Sequence, residues 1–174
     1  MKNIILWFVI CLLHGQSFAQ SEAWTYGQST DKTAHWAMVM NDSGNVFTQR
    51  CFPSSETCYW SVALSIACEK DATFPLLASS NAGATPVSVL CGETFVTSNR
   101  KTYYQYFFDD FEKIDNLVRS ANGPIGFAMA LESGKFLVVR FDMKNAIKAV
   151  DSMRALAQFD IDKKTKNKTK DQVL

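Results

Sequence analysis

Four cysteines, Cys51, Cys58, Cys68 and Cys91, and one histidine, His35, are the residues behind the N-terminal leader best suited to covalent or metal chemistry. Such thiols can act as nucleophiles, bind zinc or pair as disulfides, and their spacing separates these uses. Structural zinc sites bring cysteines in C-x₂₋₄-C knuckles, and gaps of six, nine and twenty-two residues contain none. A thiol nucleophile needs a base, commonly a histidine, and His35 is the one candidate. Its alternating neighbours read as a strand, and His35 is expected at a strand edge with no catalytic partner. The thiols are therefore expected to form two disulfides, with no metal and no cofactor.

The pairing follows from local geometry. Between Cys58 and Cys68, Trp60, Val62, Leu64 and Ile66 share one parity while Ser61, Ala63, Ser65 and Ala67 share the other, the pattern of a half-buried strand. A straight strand would hold its two ends roughly 33 Å apart, whereas a disulfide spans a Cα separation of at most about 7 Å. Phe52-Pro-Ser-Ser-Glu-Thr57 suits a loop between two strands. The expected bridges are Cys51–Cys58 and Cys68–Cys91.

Carboxylates offer a second chemistry. Asp109, Asp110, Glu112 and Asp115 cluster, but glycoside hydrolysis needs two carboxyl groups facing each other across a cleft, and these four fall on one helical turn. Acidic residues are favoured at a helix N-terminus in any case. No phosphate-binding glycine loop, G-x-S-x-G elbow or H-E-x-x-H occurs. Aromatic residues are the more distinctive feature. Tyr103-Tyr-Gln-Tyr-Phe-Phe108 as a strand puts aromatic groups on both faces, and exposed ones anchor partners. Tyr103, Tyr104 and Tyr106 with Asp109 and Asp110 are the expected partner-binding face. Protein–protein binding is the first reading, a carbohydrate or cell-wall module on the same aromatics the second, and a hydrolase using Asp109 or Asp110 the third.

The leader sets the compartment. Met1-Lys2-Asn3, an apolar run from Ile4 to Leu13 and Ser17-Phe18-Ala19 read as a signal peptide over residues 1–19, cleaved after Ala19. The run is too short to span a membrane, and no later segment is long and apolar enough. Cys11 leaves with the peptide. Export, to the periplasm or beyond, suits disulfides. Lys2 is the leader's one cation, so the remaining basic residues match the 17 acidic ones, and no basic face for nucleic acid arises. Residues 20–159 are expected to form one domain, and 160–174 a disordered Lys-rich tail.

The elements that must position these residues divide by period. His35–Met40, Val46–Cys51 and 58–67 read as an antiparallel meander, followed by a loop over 79–84 and a short strand through Val87, Val89 and Cys91. Asp109 and Glu112 resemble a capping box ahead of the stripe Phe111, Ile114, Leu117, Val118 and Ala121, which Asn122-Gly123-Pro124 ends. A hairpin over 125–141 leads to a last helix capped by Asp142, with the stripe Ala146, Ile147, Val150, Met153 and Ala157. The expected fold is α+β: an antiparallel sheet of about six strands with two helices on one face.

The signal peptide, a tryptophan-led first strand (Ala23-Trp24-Thr25-Tyr26), paired cysteines in β-structure and the closing Phe136-Leu-Val-Val-Arg-Phe-Asp-Met-Lys-Asn-Ala-Ile-Lys-Ala149 resemble the invasion-associated locus B proteins. The cysteine spacing and the Tyr-rich segment depart from that pattern. The resemblance implies a small exported bacterial protein linked to host-cell association, with no catalytic residue to carry over.

Overall fold

The computed structural model describes residues 23–131 and 134–170, the last four by backbone alone. The expected leader, Glu132 and Ser133 of the hairpin turn, and 171–174 lie outside the described residues. The elements are β1 Thr25–Gln28, β2 His35–Met40, β3 Val46–Phe52, β4 Thr57–Leu64, β5 Thr73–Ser80, β6 Gly83–Val96, β7 Thr102–Phe108, α1 Phe111–Ser120, β8 Ile125–Ala130, β9 Phe136–Phe141 and α2 Ala146–Lys170. They form one antiparallel sheet in the order β1-β2-β3-β4-β7-β6-β5-β8-β9.

The sheet has nine strands rather than about six. The meander holds through β4, whose neighbour is then β7. The loop expected over 79–84 is a tight turn between β5 and β6, and the short strand expected around Val87 runs for 14 residues. Pro75 sits inside β5, one residue beyond the β5–β8 ladder that begins at Leu76↔Met129, where its missing N–H breaks no bond with β8.

Residues opposite one another in an antiparallel ladder share a face. One face carries Ala37, Val39, Phe47, Trp60, Val62, Tyr106, Phe108, Phe127 and Phe141, all buried, and both helices pack there. α2 lies over β1–β3 and α1 over β4, contributing Met153, Val150, Ile114 and Val118 to the same core. The sheet is strongly curled. Phe47 on β3 and Phe141 on β9 are six strands apart, which in a flat sheet is roughly 29 Å, yet their ring centroids are 5.5 Å apart. Side chains bridge the seam: Trp24 Nε1 donates to the Asp142 carbonyl at 2.8 Å and Asn41 Nδ2 to that of Arg140 at 3.1 Å.

Both disulfides pair as the loop geometry predicts: Cys51–Cys58 with Cα atoms 4.1 Å apart and Cys68–Cys91 at 6.0 Å. Cys51 and Cys58 are direct cross-strand partners in β3–β4. Cys68–Cys91 ties the segment after β4 to β6 across 23 residues. A loop of that size loses about 3 kcal/mol of chain-entropy stabilisation when opened. The double variant Cys68→Ser/Cys91→Ser is therefore expected to lose about that amount, read as a lower urea midpoint.

Three local expectations shift. The N-cap of α1 is Asp110, not Asp109: its carboxylate accepts from the Lys113 backbone N–H at 2.9 Å. Asp142 caps a turn at Lys144, and α2 starts at Ala146, three residues later than an N-cap at Asp142 would set it. α2 also continues to Lys170 through the stretch expected to be disordered. Its Lys residues are good helix formers, Gln158 bonds Asp162 four residues on, and Asp160 is tied to β2 through His35. Among the described residues no helix is long and apolar enough to cross a membrane.

Candidate functional site

The helices cover one face of the sheet. On the other, cross-strand partners set Trp36 beside Arg50, Met38 beside Thr48, and Met40 beside Val46, which in turn faces Ala63, with Gln105 on β7 next to Ala63. These side chains floor a groove of about 650 Å³. Its wall is the end of the β6–β7 hairpin. A bulge between Cys91 and Thr94 shifts the β6 register and turns Phe95 onto Tyr103, their rings stacked at 5.6 Å. The hairpin end reaches the β2–β3 turn, where Lys101 Nζ donates to the Ser43 carbonyl at 3.2 Å and also lies 4.9 Å from the Tyr103 ring centroid. Gly92 permits the bulge, because a Cβ there would overlap the Phe107 ring.

The groove sets apolar and aromatic side chains beside polar ones, Ser43, Thr48, Thr97, Asn99 and Gln105 among them. Gln105 donates to Ser61 at 3.0 Å and Thr48 to the Ala37 carbonyl, which leaves charge to Arg50, Lys101 and Asp42 on the lining. No acidic side chain among the described residues pairs with Arg50. A second hollow of about 610 Å³ lies across the β2–β3 turn, at the seam with β9, and its rim is already bridged by Asn41.

The five residues expected to form one binding face are separated by the fold. Alternation puts Tyr103 in the groove wall and turns Tyr104 and Tyr106 to the helix-covered side. Tyr106 is a core residue, 1% exposed, whose hydroxyl donates to the Ile66 carbonyl at 3.0 Å; burial, with Tyr104 nearby, raises its pKa. Asp109 is exposed and Asp110 half-buried beyond the other end of β7, beside an open hollow against Pro86–Ser88. The Lys113 backbone N–H holds the Asp110 carboxyl below the ordinary aspartate range, the opposite of what a general acid needs. Glu112 is exposed on the first turn of α1.

Asp115 has a structural task. Burial alone would raise its carboxyl, but hydrogen bonds and charge from Arg154 and Arg119 outweigh that and lower it. Arg119 Nε donates to it at 2.9 Å, Arg154 bonds it from α2, and Arg154 Nε also donates to buried Gln49 on β3 at 2.9 Å. His35 is not at a sheet edge, since β2 lies between β1 and β3. It is 4% exposed and its Nε2 lies 2.8 Å from Asp160 Oδ2 on α2.

The parity of Trp36, Met38 and Met40 is visible in the sequence, opposite that of His35, Ala37 and Val39. Two apolar faces on one strand signal either full burial or a site. Arg50, Phe95 and Lys101 carry no such mark, because the bulge and the hairpin's reach bring them in. No family model, no curated protein and no solved structure matches the chain.

Proposed function

We propose that this chain is an exported, non-catalytic bacterial protein that works by holding a protein partner in the groove of the uncovered sheet face. The observation that carries this reading is the groove itself. Trp36, Met38, Phe95 and Tyr103 gather on a face that neither α1 nor α2 covers, around a guanidinium without an acidic partner among the described residues. A groove open along its length leaves a small apolar ligand half in water, whereas a protein segment brings its own body to exclude it. Arg50 and Lys101 against Asp42 favour a segment in which a carboxylate follows apolar side chains. The leader read over residues 1–19, the two disulfides and the likeness to invasion-associated locus B proteins support the exported bacterial setting.

A benzophenone amino acid placed at Met38 or at Phe95 tests this reading in the producing cell. Both positions are expected to yield the same crosslinked protein, while Lys148 on the exposed side of α2 yields none. Arg50→Glu is expected to reduce the adduct at least about tenfold, the loss of one charge-assisted contact and its replacement by repulsion. Equal labelling from all three positions, or none from the groove, would sink the reading. Retention on peptidoglycan that disappears with Trp36→Ala would favour the carbohydrate alternative instead.

A further inference from the structure

We propose that Cys51–Cys58 is a thiol-exchange site in which His35, held by Asp160, receives the Cys51 sulfur when the bridge opens. Three observations independent of the groove converge here. First, the β2–β3 register sets His35 directly opposite Cys51, so the imidazole and the disulfide share the helix-covered face. Second, His35 is 4% exposed and its Nδ1 has no hydrogen-bond partner among the described residues, while its Nε2 is fixed 2.8 Å from Asp160. A buried ring nitrogen without a partner is costly, and a thiolate at the neighbouring position would satisfy it. Third, a pocket of about 310 Å³ opens on both cysteines, between Pro53 of the β3–β4 loop and Ala157 and Ile161 of α2. Cys58 is exposed and Cys51 is 3% exposed, so an incoming thiol meets the Cys58 sulfur first.

The bridge is also dispensable for the ladder it spans. β3 and β4 are paired at seven positions from Val46↔Ala63 to Phe52↔Thr57, so the hairpin keeps its register when the sulfurs part. Cys68–Cys91 differs: Cys91 is 1% exposed and its backbone bonds Asp71 and Ala72.

The exchange balances with a dithiol as reductant, the chemical class of exported disulfide oxidoreductases. One thiolate of the dithiol attacks Cys58 Sγ, the Sγ–Sγ bond breaks, and Cys51 departs with the electron pair as a thiolate beside the imidazolium Nδ1–H. The second thiol of the dithiol then attacks its own sulfur in the mixed disulfide and expels Cys58 as a thiolate, which takes a proton from water. Two electrons pass to the protein, the dithiol becomes a disulfide, and Cys51 and Cys58 become thiols. A stabilised leaving thiolate leaves faster, which is the advantage His35 confers. Asp160 is a positioning residue that acts through His35. The other charged groups at the site are Arg154 on α2 and Glu56 on the loop.

The test is timed reduction of the folded protein with dithiothreitol, quenched with iodoacetamide and read by peptide mass spectrometry. Cys51 and Cys58 are expected to be alkylated roughly tenfold sooner than Cys68 and Cys91, with His35→Gln and Asp160→Asn removing most of that lead while the Cys68–Cys91 rate stays unchanged. Glutathione, which has one thiol, is expected to accumulate on Cys58. Simultaneous opening of both bridges, adducts on Cys51, or a lead unchanged in either variant would overturn the proposal. The first two readouts use the unmodified chain, so they stand even where His35→Gln fails to fold. Neither readout involves the groove, and the two proposals fail separately.

Discussion

Phe47→Ala is expected to cost about 4 kcal/mol, the range for deleting a buried phenyl group, and to leave the protein near the limit of folding, since a domain of this size has only about 5–15 kcal/mol in total. Phe47 has no exposed surface and its ring meets five others. Trp24 lies 5.7 Å away, Trp60 is stacked at 5.0 Å, and Phe108, Phe127 and Phe141 stand at 6.1, 5.2 and 5.5 Å. These rings come from β4, β7, β8, β9 and the start of the described chain. Truncation opens a cavity where the two arms of the curled sheet meet, and rigid strands on both sides cannot collapse into it. The check is a urea titration followed by tryptophan fluorescence. A loss below about 1.5 kcal/mol, the cost of a conservative core change, would mean that the arms are held by the seam bonds of Trp24 and Asn41 rather than by this ring.

Asp115→Ala is expected to cost about 3 kcal/mol, because removing one member of a buried ion pair strands the others. Asp115 is 7% exposed and receives Arg154 from α2 and Arg119 from its own helix; Arg119 also reaches Asp151 at 2.8 Å. Without the carboxylate, Arg154 keeps Gln49 and the face of the Phe111 ring but no opposite charge. The same carboxylate makes the fold acid-sensitive. Its folded pKa is held below the ordinary aspartate value of 3.8, so on acidification the unfolded chain takes up the proton first. Asp115 therefore contributes its full stabilisation above that ordinary value and loses it as pH falls through the lower, folded one. Asp115→Asn should thus lie well below the parent protein at pH 7 and close to it near pH 2. A gap that stays constant over that range would show that packing, not charge, is what Asp115 supplies.

The features legible in the sequence are those set by short-range rules. The disulfide pairing follows from one strand being too long to fold back on itself. α1 follows from the stripe through Ile114 and Val118, and the β8–β9 hairpin from strict alternation about Gly134. Long-range placement was hidden. β5 carries Pro75, which counts against a strand until its exact place in the ladder is known. β6 passes Gly92 by a bulge, where Phe107 fills the space that a side chain would need. The tyrosines at 103, 104 and 106 look like one cluster in the chain, yet a period of two sends them to opposite faces. The groove is the least legible feature, since its wall depends on a one-residue bulge and on how far the following hairpin reaches. The last helix is hidden by its own composition: a lysine-rich run reads as solvated chain, and the tie from Asp160 to buried His35 crosses to a strand 125 residues away.

The covering of β1–β3 by α2 also has a consequence in time. A chain is made from its N-terminus, and β1 through β4 can pair as soon as they emerge, but the surface they would bury is completed by residues 146–157, which follow all nine described strands. Trp24 waits for the carbonyl of Asp142, 118 positions later. During that interval Phe47 and Trp60 stand in the open, so an unfinished chain displays the very rings that later hold it shut. Holding chaperones have a defined and transient target in that half-built sheet, and chains stalled before residue 140 are the ones expected to aggregate.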